Sequence, residues 1–257
     1  GGGGGADAVL HNARAPSYAF DYLFTPKCTN QKIYNAMLRD IVVATMDGYH
    51  GSVFAYGQTS TGKTFTMQGT DAQPGVIPMA IADVFDCISS SEDREFLLRM
   101  SYMEIYNEQV IDLLSPTNTR GVQILNDRTG KVVIRNLKEE VVVSEDQVFA
   151  LIASGEAYRH KARTASNRES SRSHTIFRLT VESRLISDEE TVSNMPVRVS
   201  TLNLVDLAGS EGQKLSSSTG MRLTEGAFIN RSLHTLGKVI MKLSEMAERD
   251  QRRAQVA

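Results

Sequence analysis

Gly57-Gln58-Thr59-Ser60-Thr61-Gly62-Lys63-Thr64 decides how this chain is read. The eight residues fit G-x-x-x-x-G-K-[ST]. The glycines let backbone N–H groups turn inward on a phosphate, the lysine adds charge at the β- and γ-phosphates, and the threonine hydroxyl can ligate Mg²⁺. The pattern carries this meaning only between a strand and a helix. Gly51 to Tyr56 reads as a short buried strand before it, and a helix opens on Thr64 behind it. A glycine-rich turn that matches by chance has neither flank.

Two further stretches suit the same chemistry. The apolar strand Leu202-Asn203-Leu204-Val205 ends on Asp206, placed to hold Mg²⁺ directly or through water. Such an acid alone serves equally as a helix cap, and the phosphate loop tips the reading toward the metal. Gly209 follows three residues on, where a backbone N–H free of side-chain hindrance can sense a γ-phosphate. Asn167-Arg168-Glu169-Ser170-Ser171-Arg172-Ser173-His174 gathers hydroxyls and a guanidinium before a strand marked by Phe177, Leu179 and Val181. That equips a loop to catch a phosphate or a metal-bound water, although a Ser/Arg-rich loop on its own is ordinarily polar surface.

The rest of the chain alternates helix and strand. Ile33, Met37, Leu38, Ile41 and Val42 give Asn30 to Met46 a helical period, with Gly48 placed to end it. Ile77, Ile81, Val84, Phe85 and Ile88 mark a second helix behind Pro78. Phe96, Leu98, Met100 and Tyr102 alternate as a half-buried strand. Asp127 to Gly130 turns a hairpin between Val122–Leu125 and Val132–Ile134. Ser144 and Gln147 have capping-box spacing ahead of a helix holding Val148, Phe149, Leu151 and Ile152. The acidic Asp188-Glu189-Glu190 tips another hairpin. Together these predict an α/β, P-loop NTPase-type three-layer sandwich: a mixed central sheet with helices on both faces.

Composition narrows the class. The 257 residues carry 28 Lys+Arg against 30 Asp+Glu, a net charge of -2 that argues against general affinity for nucleic acid and leaves room for a local basic patch. The longest uncharged stretch, Gly48 to Gly62, is polar, so no membrane span is expected. Cys28 and Cys87 lie far apart without metal spacing, as in a reducing compartment. Gly1 to Gly5 reads as disordered, giving a flexible leader over residues 1–17 and one domain over 18–257.

The chain resembles the kinesin motor domain. The matching text is Phe20-Asp21-Tyr22-Leu23-Phe24, then Phe54 through Met67 around the phosphate loop, Ser101 to Glu108, Asn167 to His174, Asp206 to Glu211, and Glu225 to Leu233. The resemblance implies a microtubule-based ATPase with ATP and Mg²⁺ as cofactors. Gly57, Gln58, Thr59, Ser60, Thr61, Gly62, Lys63 and Thr64 would bind the triphosphate, with Phe65 near the adenine. Asn167 to His174 would be switch I, with Ser171 near the γ-phosphate and Ser173 joining Thr64 and Asp206 at the metal. Asp206 to Glu211 would be switch II. Arg172 and Glu211 would form a bridge that closes the pocket and orders the attacking water. A carboxylate beside Arg172 has a lowered pKa, so Glu211 is expected to orient rather than abstract.

The same resemblance places a helix near Glu225, with Ile229, Leu233, Leu236, Ile240 and Leu243 on an apolar face. Arg231, Lys238 and Lys242 lie opposite, facing acidic tubulin, with Lys131, Arg135 and Lys138 a second candidate. The partner is the microtubule, the setting cytoplasm and cytoskeleton. The parent protein is expected to be a coiled-coil dimer. Wording at Asp93 to Phe96 and at Ser101 to Glu108 most resembles the centromere-associated kinesins, and so points to spindle or kinetochore. Arg14-Ala15-Pro16 stands too close to Phe20 to serve as the family's adenine-side strand, and Ser244 to Ala257 matches no later element. A domain incomplete at both ends is therefore expected, with slow hydrolysis and no movement. Two other readings stand beside this one: a non-catalytic microtubule- or nucleotide-binding module, and a GTP-using switch protein. The second lacks an Asn-Lys-x-Asp stretch to read guanine.

Overall fold

The computed structural model describes residues 18–117, 120–130, 132–166, 170–186, 196–211 and 221–256. A helical run comes first: α1 (Asn30–Ile33), a π-helical stretch (Tyr34–Leu38) and α2 (Arg39–Met46). Then follow the strand β1 (Gly51–Ala55), the short helix α3 (Lys63–Met67), the small strands β2 (Gly69–Thr70) and β3 (Gln73–Pro74), and α4 (Val76–Ser89). Next are β4 (Arg94–Tyr106), β5 (Gln109–Asp112), the hairpin β6 (Gln123–Asn126) and β7 (Val132–Arg135), and β8 (Glu140–Val142). The chain continues through α5 (Glu145–Ser166), a 3-10 turn (Ser170–Arg172), β9 (His174–Leu185), β10 (Arg198–Asp206) and α6 (Met221–Val256). The acidic run 188–190, Lys131 and Asn167 lie outside the described residues.

The main sheet runs β1-β10-β9-β4-β5, with β8 also paired to β4. Only β1 and β10 are parallel; the other pairs are antiparallel, which makes the sheet mixed, as expected. Strand period sorts its side chains. Leu98, Met100 and Tyr102 of β4, Phe177, Leu179 and Val181 of β9, and Leu202 and Leu204 of β10 are all buried toward one face. There they meet Tyr34, Leu38 and Val42 of the first helical run, Ile77, Ile81 and Val84 of α4, and Val148 of α5. The other face is mixed: Met103 and Val205 are buried on it, beside several polar pairs. Arg99 pairs with Glu182 at 2.6 Å, Arg178 donates to Asn203 at 2.9 Å, and Asn203 donates to Ser52 at 3.2 Å. α6 is reached from this second side, through His174.

Two local expectations need amending. β1 is not fully buried: Ser52 and Phe54 are exposed, because β10 is its one strand neighbour among the described residues. The helix after the phosphate loop is only five residues long before the chain turns back through β2 and β3. Two other local signals hold. Gln147 N–H donates to Ser144 Oγ at 3.3 Å, and the Gln147 side chain accepts from Val143 N–H at 3.0 Å, a reciprocal cap that starts α5 where the spacing put it. Asp127 accepts from both Thr129 N–H and its hydroxyl, closing the β6–β7 turn.

α5 lies close on β4 at Gly155, where an added Cβ would sit 2.7 Å from Tyr102 Cδ1 and 3.3 Å from Leu113 Cβ. Tyr102 is 1% exposed and its hydroxyl donates to Glu156, so the ring has no room to yield. Alanine at a helix interior normally gains about 1 kcal/mol over glycine. Here overpacking of about 1–3 kcal/mol opposes it. Gly155→Ala is therefore expected to destabilise the fold by up to roughly 2 kcal/mol in urea unfolding, against the sign of helix propensity; a stabilised variant would show that α5 is free to shift.

Candidate phosphate-binding site

The loop between β1 and α3 is shaped by its own hydrogen bonds. Thr61 N–H and hydroxyl both donate to the Gln58 carbonyl, at 3.3 and 2.8 Å. Ser60 and Gly62 take φ of 65° and 91°. Nothing lies within 4 Å of a Cβ at Gly62, so the backbone conformation, not crowding, selects glycine there. Lys63 Nζ folds back across the loop, donating to the carbonyls of Gly57 at 3.0 Å and Gln58 at 2.8 Å. Buried Asn30 donates to the Phe65 carbonyl at 3.0 Å, while the Phe65 ring stays 43% exposed.

The parallel register of β1 and β10 sets Asp206 beside Ala55, at the strand ends from which the loop departs. Thr64 hydroxyl donates to Asp206 Oδ2 at 2.5 Å. Asp206 Oδ1 is buried and has no hydrogen-bond partner among the described residues. Burial pushes this carboxyl up from its ordinary value, and the Thr64 hydroxyl, Arg159 and Lys63 pull it back in part. An orphaned carboxylate oxygen beside a threonine hydroxyl is the hard oxygen set that Mg²⁺ takes, so these residues fit the metal.

The later loops are tied to the first one directly. Ser210 N–H donates to the Gly57 carbonyl at 3.0 Å, and Gly209 N–H to the Ser171 carbonyl at 2.8 Å. Glu211 accepts from Thr59 N–H at 2.8 Å through one oxygen and from the Thr59 hydroxyl through the other. Burial alone would raise the Glu211 carboxyl. The Thr59 hydrogen bonds, with help from Lys63, hold it below the usual carboxylate range. The direction is the expected one, but its causes are Thr59 and Lys63 and not the Arg172 that the sequence reading named. Between these loops is a cavity of about 270 Å³ lined by Thr59, Lys63, Thr64, Phe65, Ser171 and Asp206, among others. Arg172 is the last residue of the 3-10 turn, next in the chain to the lining residue Ser171, and is half-buried. Ser173 lies deeper, 2% exposed. Arg231, Lys238 and Lys242 are all exposed along α6.

The floor of the site was not expected from the motifs. Arg159 of α5 is 4% exposed and donates to Glu104 at 2.8 Å, to Glu156 at 3.3 Å and to Ser173 Oγ at 3.1 Å. Burial works against its charge, but Glu156 and Glu104 outweigh this and raise its pKa. Glu156 also accepts from Gln68 at 3.3 Å and from Tyr102. A signal did exist. Arg159 follows Val148, Ile152 and Gly155 at helical spacing, and Glu104 continues the alternation of Leu98, Met100 and Tyr102.

His174 also has a place. Its Nδ1 accepts from Ala208 N–H at 3.0 Å, and its Nε2 lies 2.8 Å from Ser232 Oγ of α6. Burial pushes the ring down to about 4, so it is neutral near pH 7. With Nδ1 accepting, the proton sits on Nε2 and is donated to Ser232.

The kinesin motor domain family model matches residues 7–255. The chain belongs to the kinesin motor-domain family. Among similar proteins, Kinesin-like protein KIN-7O of Arabidopsis thaliana is 49% identical over 241 residues, covering 93% of this chain and 19% of the relative. Kinesin-related protein 11 of Dictyostelium discoideum is 48% identical over 234 residues, covering 89% and 34%. A solved structure of a fast kinesin superposes with a TM-score of 0.79 at 37% identity, covering 90% of this chain and 64% of that one. The chain thus spans about a fifth and about a third of the length of these two kinesins. No helix among the described residues is long and apolar enough to cross a membrane.

Arg159→Met tests the floor. It leaves Glu104 buried without its cation, and loss of one partner from such a pair costs about 3–5 kcal/mol. Urea unfolding is expected to show a loss of that size. Pairing the change with Glu104→Gln is expected to recover part of it, whereas strictly additive losses would mean that the two side chains are not coupled.

Proposed function

We propose that this chain binds Mg²⁺-ATP in the cavity between Gly57–Thr64, Ser171 and Asp206–Glu211, hydrolyses it, and couples hydrolysis to microtubule binding through α6. What supports this most is the convergence of three separated stretches of chain on one cavity by direct hydrogen bonds. Lys63 would exchange the Gly57 and Gln58 carbonyls for phosphate oxygens, and the loop's N–H groups would take the rest. Phe65 would offer its exposed ring to the adenine. Thr64 and the free Asp206 oxygen would hold Mg²⁺, with Ser173 contributing from below. The metal would supply neutralising charge on the phosphates. Gly209 N–H would trade the Ser171 carbonyl for the γ-phosphate. Glu211, held ionised, makes a weak base, so its role is to orient water in concert with Arg172 once it leaves Thr59.

The partner surface is the polar side of α6. Arg231, Lys238 and Lys242 are exposed there, suited to the acidic face of tubulin. Arg135 and Lys138 near β7 are the lesser candidates, since Lys138 is already paired with Glu140 at 2.5 Å. Within the longer protein we place the chain on cytoskeletal microtubules, in a coiled-coil dimer. The wording at Asp93–Phe96 favours spindle or kinetochore.

ATP hydrolysis measured with and without microtubules tests the whole reading, with GTP as the competing substrate. Lys63→Ala is expected to weaken fluorescent-nucleotide binding by about 1.5–3 kcal/mol, the value of a charge-assisted contact. Unchanged affinity would remove the site assignment. Arg172→Ala and Glu211→Ala are each expected to suppress hydrolysis far more than binding. The double variant should be little worse than either, because the two act as a unit. Additive losses would mean that they act independently.

A further inference from the structure

Among the motif residues, His174 is left without a task by the chemistry above. Its neighbours are already assigned in the proposed function: Ser171, whose carbonyl holds Gly209 N–H, Arg172, and Ser173, which accepts from Arg159. The ring itself points away from the cavity, on the opposite face of β9 from Phe177 and Leu179, and is only 7% exposed. Both nitrogens are used, and each reaches a different part of the molecule. Nδ1 holds the N–H of Ala208, next in the chain to Gly209. Nε2 holds Ser232, next in the chain to Arg231. One rigid ring therefore spans from switch II to α6.

We infer that His174 is a positioning residue that makes α6 follow the state of switch II. The inference rests on the nucleotide reading above. Two successive N–H groups of switch II are held from the switch I side, Ala208 by the His174 ring and Gly209 by the Ser171 carbonyl. When Gly209 gives up Ser171 for a phosphate, its neighbour stays clamped to the ring. The adjustment then has to pass through the Ala208–Gly209 peptide and the ring, and the ring's other end is fixed to Ser232. An imidazole that accepts at one end and donates at the other has no close substitute. Asparagine reproduces the Nδ1 acceptor but falls short of Ser232. Glutamine reaches Ser232 but leaves Ala208 N–H unmet. Ser232 lies at the edge of the helix face carrying Leu233 and Leu236, the half-buried part of α6. A shift imposed there moves Arg231, Lys238 and Lys242 together.

The test compares hydrogen exchange of α6 amides around Ser232 to Lys238 in wild type, Ser232→Ala, Ser232→Thr and His174→Asn. Each is measured with ADP and with a non-hydrolysable ATP analogue, alongside nucleotide affinity. Wild type is expected to show a nucleotide-dependent difference in this segment. Ser232→Ala, which lies outside the nucleotide site, should keep nucleotide affinity and lose most of that difference, by roughly fivefold or more. Ser232→Thr keeps an acceptor hydroxyl and should retain it. His174→Asn should behave as Ser232→Ala does. If His174→Asn does not fold, the two serine variants decide alone. A difference that survives in Ser232→Ala, or a wild type that binds both nucleotides with identical exchange in α6, overturns the inference. A wild type that binds neither nucleotide overturns the reading beneath it, and the inference with it. As a second readout, Ser232→Ala should lower microtubule-stimulated kcat while leaving the basal rate near wild type, a split that a purely structural role would not produce.

Discussion

A guanidinium removed from water has to be met by carboxylates in good geometry, and Arg159 is the place where this chain meets that demand. Glu104 comes from the central strand β4, Glu156 from the same helix one turn earlier, and Ser173 from the residue just ahead of β9. None of these can shift far without stranding a buried charge. The cluster therefore fixes the approach of α5 to the sheet, an approach already made tight by Gly155 against Tyr102. It also fixes the base of switch I. The expected metal ligand Ser173 is thus held on a rigid floor, and the loops above it are free to be the moving parts.

The bonds within those loops are of a different kind. Gly209 to Ser171, Ser210 to Gly57, and Glu211 to Thr59 join groups that are polar and short in reach. Each can be exchanged for a similar bond to a phosphate oxygen or a water at little net cost, because a typical hydrogen bond contributes only about 1 kcal/mol net. The Arg159 cluster cannot be exchanged in this way. The contrast between costly ties below and cheap ties above is what allows a small ligand to rearrange the rim without disturbing the sheet.

Much of this was legible, for reasons that differ by element. The phosphate loop names itself, because glycine spacing and Lys63-Thr64 follow directly from the chemistry of a phosphate. Strand alternation at Leu98–Tyr102 and Phe177–Val181 marked the core face, since period 2 is a local property. Arg159 and Glu104 went unread because a charged residue is ordinarily assigned to the surface, although both extend a buried stripe by one step. The edge position of β1 was hidden, since its only described neighbour, β10, lies some 150 residues away. The Thr59–Glu211 tie is likewise a product of tertiary approach. For α6, periodicity marked an apolar stripe but said nothing about cover. Leu233 and Leu236 are half-buried, whereas Ile240 and Leu243 are more than half exposed.

That uneven cover bears on how α6 behaves. At 36 residues the helix is about 54 Å long, and most of its described side chains past Leu236 face water. Among the residues of α6 whose side chains are described, cover is concentrated around Ser232, Leu233 and Leu236, and the His174–Ser232 bond there is a directional tie. A helix held broadly by an apolar seam would resist a shift at a cost proportional to the area disturbed. One held at a few points can be repositioned by an energy comparable to a single hydrogen bond, which is the scale on which phosphate contacts at Gly209 operate. Because coupling is reciprocal, anything that grips the cations of α6 must bias the loops in return. A motor domain needs that property, and the inferred His174 link would supply it in this chain through the bond to Ser232.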